Sequence, residues 1–461
     1  MRQLLAIALA LITIAACATP PANGTARWRP EPYVKLKHPD WAKDAVLYQL
    51  NMRQFTEEGT FVAAEEQLDR LADLGIDIIW LMPIHPIGEK NRKGTLGSPY
   101  SVKDYFGVNP EFGTLDDLIS FVDAAHARGM HVILDWVANH TAWDNQLVYD
   151  HPEWYERDWD GDFMPTRWWD WSDIIDLDYS QPGLREYMAG AMRYWVEEVG
   201  IDGYRCDVAG YIPLDFWEEV RAELDSVKPV FMLGEFDQRD IHARAFDASY
   251  AWEWKNIMHA INTGKARASA LFGYYSGNES VWPQDAYRMT YTSNHDQNAW
   301  DAAAPDFYGA AYESAIVLSF VGEGLPLIYN GQEAFNEKQL KFFERDPIAW
   351  RNHPIADLFD TLIALKTDMT ALHNGAAGAR MVPVVNTTSE DVLSFSRGDK
   401  NGRVFVVMNL SPVAQVTSFT DGPYAGTYTE YFTGETRAID TSTKLALPAW
   451  AYRIYVDHGT K

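Results

Sequence analysis

Short apolar runs ending in acids or amides recur along this chain at a nearly constant interval, and few folds accommodate that rhythm. His131–Asp135, Gly203–Asp207, Val230–Glu235 and Met289–Ser293 read as strands. Each closes on a polar cluster: Asp135-Trp-Val-Ala-Asn139-His140, Gly203-Tyr-Arg205-Cys-Asp207, Gly234-Glu235, and Asn294-His295-Asp296. Helix-like segments alternate with them, among them Leu115–Arg128 with Gly129 as its stop, Leu184–Val199 and Leu214–Val227. Ile76–Met82 is apolar but for Asp77, as a strand buried on both faces of a parallel sheet should be. Repeated β/α units predict an α/β fold, and 461 residues suit a (β/α)8 TIM barrel with one appendage. Chemistry on such a barrel gathers at the C-terminal strand ends, where these clusters fall.

Spacing sharpens the reading. Asp207 and Glu235 are 28 positions apart, one unit, so they should end neighbouring strands. Glu235 to Asp296 is 61 positions, close to two units. Asp135 to Asp207 is 72, too long for one unit by about 40 residues. The excess, residues 140–180, reads as a small domain inserted after strand three, dense in tryptophan (Trp143, Trp154, Trp159, Trp168, Trp169, Trp171). Other expected strands are Ala45–Phe55 and Leu325–Tyr329, and other expected helices Phe61–Leu74, Tyr312–Phe320 and Leu358–Thr367. The barrel is expected over 41–375. Beyond it, Val392–Arg397, Arg403–Met408, Tyr428–Phe432 and Ala451–Val456 are short β-rich runs with turn residues between them. They predict a C-terminal antiparallel β-sandwich domain over 376–461.

Residues two apart on a strand share a face, so Arg205 and Asp207 point the same way. A guanidinium beside a carboxylate favours its charged form, which suits a nucleophile. Alone, R-x-D reads as a structural ion pair; the other clusters change that. Acid–base and nucleophilic work by a pair of carboxyls needs one protonated and another ionised, in environments that push their pKa values apart. Asp207 has Arg205 beside it, whereas Glu235 follows Phe231-Met-Leu-Gly without an adjacent cation. That contrast suggests Glu235 as acid and Asp207 as base-like partner.

A net charge of −26 excludes nucleic acid as a partner, because phosphate binding needs basic surface. At the N-terminus, Arg2, the apolar run Leu4–Ala16 and the small residues after it read as an export signal over 1–17, followed by a tether and lead-in over 18–40. Ile14-Ala-Ala-Cys17 resembles a bacterial lipobox, making an envelope or outer-membrane lipoprotein the expectation; cleavage after Ala16-Cys-Ala18 is the alternative, with a periplasmic or secreted product. Membrane contact is expected only through that anchor. Cys206, the other cysteine, lies in a strand, so no intramolecular disulfide is expected.

In this order and spacing the clusters resemble the alpha-amylase family of retaining α-glycoside hydrolases and transglycosidases. Ser98-Pro-Tyr100, Asp176-Leu-Asp178 and Gly324-Leu-Pro-Leu-Ile-Tyr329-Asn-Gly-Gln-Glu333 support the resemblance, which covers roughly residues 41 to 456. It implies Asp207 as nucleophile, Glu235 as general acid/base and Asp296 as the third carboxylate. It implies Arg205 as the group that positions the nucleophile, His140 and His295 as sugar-binding histidines, Tyr100 as the ring stacked on that sugar, and Asp135 as the acid beneath the site. Asn139 and Asp176 match calcium ligands, so Ca²⁺ is the implied structural ion, with no organic cofactor. Val208-Ala209-Gly210-Tyr211 departs from the Lys-His pair many members carry, which puts the acceptor subsite in doubt. The absence of Arg or Lys from Leu325 to Gln332 argues against chloride. The expected protein is a monomeric hydrolase of α-1,4 bonds in starch or maltodextrins. Alternatives are a glucanotransferase, an enzyme of cyclodextrin, pullulan or disaccharides, and a non-catalytic starch-binding lipoprotein.

Overall fold

The computed structural model describes residues 31–167 and 169–459. The export signal with Cys17, most of the tether, and Trp168 lie outside the described residues. Eight parallel strands close into a barrel: β1 (Leu47–Leu50), β2 (Ile78–Leu81), β3 (His131–Trp136), β6 (Gly203–Cys206), β7 (Phe231–Gly234), β8 (Ala248–Tyr250), β9 (Tyr287–Tyr291) and β10 (Leu325–Tyr329), with β10 pairing back onto β1. Between β3 and β6 the inserted segment carries the antiparallel pair β4 (His140–Ala142) and β5 (Ile174–Asp176).

The unbroken apolar strands follow from burial on both sides. Leu47, Ile78, Trp80, Ile133, Leu233, Met289 and Leu327 fill the barrel interior. Their neighbours in sequence, such as Tyr48, Ile79, Val132, Met232 and Ile328, turn outward into the layer shared with the helices. Helix Leu115–Ala127 starts where expected because Thr114 and Asp117 form a reciprocal capping box. Gly203, opening β6 with φ +146°, admits no side chain: a Cβ there would lie 1.9 Å from the Phe231 carbonyl oxygen. Arg205 and Asp207 are thus threaded up from a point of very close strand contact.

Four local expectations are corrected. The first strand stops at Leu50, because the Asn51 side chain accepts the Arg53 N–H and caps a helical turn, Met52–Phe55. Phe61–Leu74 divides into Phe61–Glu65 and Leu68–Asp73, both halves keeping their apolar face inward. The run expected at Tyr428–Phe432 is instead Gly426–Glu430. Strand β8 carried no sequence signal, being three residues long and held by its neighbours β7 and β9.

The C-terminal region is all antiparallel. Its six-stranded sheet runs Val382–Pro383, Val392–Gly398, Arg403–Asn409, Tyr452–Asp457, Gly426–Glu430, Thr436–Ile439 in spatial order. One face (Leu393, Phe395, Val404, Val406, Ile454) joins the core of the barrel helices. The other (Val392, Phe405, Val407, Tyr455) is covered by Phe419, Leu445 and Leu447 of two short ribbons, which completes the sandwich.

Candidate active site

At the C-terminal strand ends a cavity of about 370 Å³ is lined by Tyr100, His140, Asp207, Glu235, His295 and Asp296, together with Ser98, Trp171, Val208, Trp300, Phe342 and Phe343. Asp207 follows β6, Glu235 follows β7 and Asp296 follows β9, so three strand ends converge on one space. Their side chains open toward it by degrees: 11% exposed for Asp207, 14% for Glu235 and 44% for Asp296.

Beneath lies Arg205, fully buried and shared among three acids. Its Nη1 donates to Asp135 Oδ1 at 2.8 Å and to Asp207 Oδ1 at 2.9 Å, and its Nη2 is ion-paired with Glu235 Oε2 at 2.8 Å. This corrects the contrast drawn from local sequence. Glu235 has a cation in contact after all, supplied by the adjacent strand, so proximity to Arg205 cannot distinguish acid from base. Asp135 is fully buried, taking further hydrogen bonds from Trp80 Nε1 (3.0 Å) and Tyr100 Oη (2.9 Å). Burial pushes its carboxyl up to about 6 against the pull of Arg205. Burial likewise pushes Asp207 up; Arg205 opposes this, and Glu235, Asp135 and Asp296 reinforce it as like charges. One guanidinium facing three carboxylates leaves negative charge in excess. The cluster therefore retains a proton more readily than separate acids would, the condition that a nucleophile and a proton donor side by side require.

The tied oxygens assign the free ones. Arg205 holds Asp207 by Oδ1, which leaves Oδ2 unheld. Glu235 Oε2 is held by Arg205 and by the Val208 backbone N–H at 2.8 Å, which leaves Oε1 unheld. Val208 sits at φ +36°, rare for a β-branched residue, and that turn aims its N–H at Glu235.

His295 is locked into a relay. Gln49 Nε2 donates to its Nδ1 at 2.6 Å, so Nε2 carries the hydrogen and reaches the Tyr100 hydroxyl at 2.8 Å. The Tyr100 and His295 rings stack 5.4 Å apart, one wall of the cavity. Burial pushes His295 down to about 3 and His140 down to about 4, so both are neutral hydrogen-bonding groups at any working pH.

Asn139 and Asp176 lie apart from this wall, where β4 meets β5. Asp176 Oδ1 accepts from Asn139 Nδ2 at 3.1 Å and from the Thr166 hydroxyl. Burial raises Asp176 to about 6 with Glu156 as a further like charge, and among the described residues no cation offsets it. A buried carboxylate with no cation beside it, next to the Thr166 hydroxyl and the Asn139 amide, fits a hard cation such as Ca²⁺, for which the amide would turn its oxygen inward. A separate group, His126, His131 and Asp202, gathers at the N-terminal end of β3 and β6. There Asp202 is already bonded by His126 Nε2 (2.7 Å), Lys228 Nζ (2.9 Å) and the Val132 N–H (2.8 Å). That group is an ion-pair knot rather than a vacant ligand set.

Sequence reading missed Gln49, Val208, Tyr250, Trp300, Phe342 and Lys93. Tyr250 accepts from Arg205 Nε at 3.2 Å. Trp300 packs 5.1 Å from Phe342, which in turn faces Tyr100 at 6.2 Å. Lys93 pairs with Asp170 and Asp173 at the cavity edge. Gln49 and Tyr250 sit in barrel strands, Trp300 in a helical turn after β9 and Val208 just after β6, while Lys93 and Phe342 arrive on loops; none stands out by a pattern of its own.

Comparison with known proteins agrees with this geometry. The family described as alpha amylase, catalytic domain, matches residues 49–356, and the alpha amylase C-terminal all-beta domain matches 384–453. Alpha-amylase MalA of Haloarcula japonica is 30% identical over 80% of this chain, which spans 56% of that relative's length. A cyclomaltodextrinase from Bacillus sp is 24% identical over 84% of this chain and 76% of its own length. Two solved structures are also similar. An alpha-amylase from Lactobacillus plantarum has a TM-score of 0.81 and 30% identity, covering 90% of this chain and 99% of that one. A maltogenic alpha-amylase AmyB from Thermotoga neapolitana has a TM-score of 0.82 and 31% identity over the same shares.

Proposed function

Since the chain belongs to the alpha-amylase family of glycoside hydrolases and transferases, we propose that it cleaves α-1,4-glucosidic bonds of starch, maltodextrins or maltooligosaccharides with retention of configuration. The observation that carries this is the single Arg205 guanidinium gripping both Asp207 and Glu235 at the floor of an open cavity, with Asp296 across from them.

In the first step Asp207 Oδ2 attacks the anomeric carbon while Glu235 Oε1 gives its proton to the departing oxygen. In the second, Glu235 takes a proton from water, whose oxygen bonds to the same carbon and frees Asp207. Asp296, the most open acid, supports the distorted sugar through its hydroxyls. Tyr100 and the neutral histidines supply stacking and hydrogen bonds that survive acidification. The test is anomeric NMR during cleavage of maltoheptaose. Retention requires the α-anomer to appear first, and a β-anomer first would sink the reading.

Ca²⁺ is assigned to the oxygens of Asn139 and Asp176, where it would brace the inserted segment against the barrel. EDTA is expected to lower the thermal midpoint, and added Ca²⁺ to restore it. Unchanged melting and activity would remove the ion from this account. Export as an envelope lipoprotein through Cys17 remains part of the proposal. It predicts that Cys17→Ser moves the protein from the membrane to the soluble fraction, and an unchanged distribution would refute it.

A further inference from the structure

At the starts of β9 and β10, the opposite end of the barrel from the catalytic cavity, the C-terminal domain closes over a small cavity of about 30 Å³. That is room for one small ion or about two waters. Three guanidiniums line it against a single carboxylate. Arg288 comes from β9, Arg380 from the linker into the β domain, Arg397 from strand Val392–Gly398, and Glu323 from just before β10. Arg380 already has its counter-charge, Nη1 donating to Glu323 Oε2 at 2.9 Å. Arg397 has none. It is 2% exposed, and its Nε, Nη1 and Nη2 donate to the backbone carbonyls of Ala379 (2.8 Å), Gly322 (2.6 Å) and His373 (3.1 Å). Among the described residues no carboxylate forms an ion pair with it, although a buried cation ordinarily requires one. Burial pushes Arg397 down to about 10. Burial and repulsion from Arg397 push the buried Lys366 down to about 7, against the pull of Asp44 and Asp77. Both shifts report positive charge in excess at this junction. Two further nitrogens that line the cavity are left over. Arg288 donates from Nη1 to Ser249 Oγ and from Nη2 to Asp237 Oδ1, both at 2.6 Å, and lies 3.8 Å from the Trp282 ring, but its Nε has no partner. Neither has His373 Nε2, and both residues are 7% exposed.

We propose that this cavity is a structural anion site, taking one small inorganic anion, halide or oxyanion, which pairs with Arg397 and accepts from Arg288 Nε and from His373 in its Nε2–H form. Charge-assisted bonds of this kind are the strong ones. The anion would neutralise the junction at which β9, the linker and the β domain meet, and so hold the two domains together. Because it binds only the folded chain, it stabilises that chain by mass action. None of the catalytic acids takes part, so the site stands or falls apart from the function assigned above.

The experiment follows the thermal midpoint of wild type, Arg380→Gln and Glu323→Gln while bromide, or in a second arm sulfate, replaces glutamate at constant ionic strength. Glutamate is too bulky for the cavity and serves as the inert anion. A site gives a midpoint that rises and then saturates, whereas a general salt effect keeps growing with concentration. The two variants should move in opposite directions. Arg380→Gln removes a cation and frees the Glu323 carboxylate to compete, which weakens the apparent affinity about tenfold. Glu323→Gln removes the like charge and tightens it about tenfold. Their side chains are 28% and 27% exposed, so both variants should fold. Arg397→Met, where it folds, should respond to neither ion. Saturation with bromide alone assigns a halide, and with sulfate alone an oxyanion. A wild type that saturates with neither would overturn the site, and so would equal responses in wild type and both variants.

Discussion

Asp207→Asn is expected to fold as the wild type does and to turn over maltooligosaccharides about 10⁴-fold more slowly. The amide matches the carboxylate in shape, so its contact with Arg205 changes little, but it cannot form the glycosyl ester. Stability should move the other way from activity. Asp207 is one of three carboxylates on a single guanidinium, and burial with like charges already pushes its carboxyl up. Removing that charge relieves repulsion, so the melting midpoint should be equal or higher. Glu235→Gln tests the partner role: a loss of about 10²–10⁴ on maltoheptaose, with the first step largely restored on glycosyl fluorides, whose leaving group needs no proton. Near-wild-type turnover by Asp207→Asn, or a collapse of its midpoint, would show that the residue is structural.

Arg205→Met should cost about 3–5 kcal/mol of stability, read from denaturant melts, because it strands buried acids without their cation. The pH dependence gives the signature. Without Arg205 the folded-state pKa values of Asp135 and Asp207 rise further; Asp135 already stands near 6 in the intact protein. A carboxyl raised in the folded state contributes stability below its unfolded value, near 4, and loses it as pH climbs through the folded value. The variant's deficit should therefore be largest above about pH 6 and shrink toward pH 4. Arg205→Lys keeps charge but not the fork that serves Asp135, Asp207 and Glu235 together, so it should recover part of the stability and little of the activity. A deficit that does not vary with pH would mean that Arg205 acts through packing alone.

The barrel was legible from chemistry repeating along the chain. Seven of its eight strands lie within short, mostly apolar runs, and only Ala248–Tyr250 escaped, its three residues too few to carry a pattern. The candidate acids were legible because each closes such a run, and the positions of strand ends in a barrel follow from spacing. Arg205 was read as the partner of Asp207, two residues away, but its contact with Glu235 crosses from β6 to β7, and no local pattern reports it. The same holds for Trp169 and Tyr211, 42 positions apart: only the fold brings indole to phenol.

The chain's own periodicity thus determined the architecture and put the candidate acids at strand ends, because burial on two faces and the rise per strand are local demands that each segment meets alone. Which carboxylate oxygens Arg205 and the Val208 N–H hold, and which are left free toward the cavity, were decided only by tertiary structure. Those properties depend on distances between groups on different strands and loops, and electrostatic coupling follows separation in space rather than along the chain.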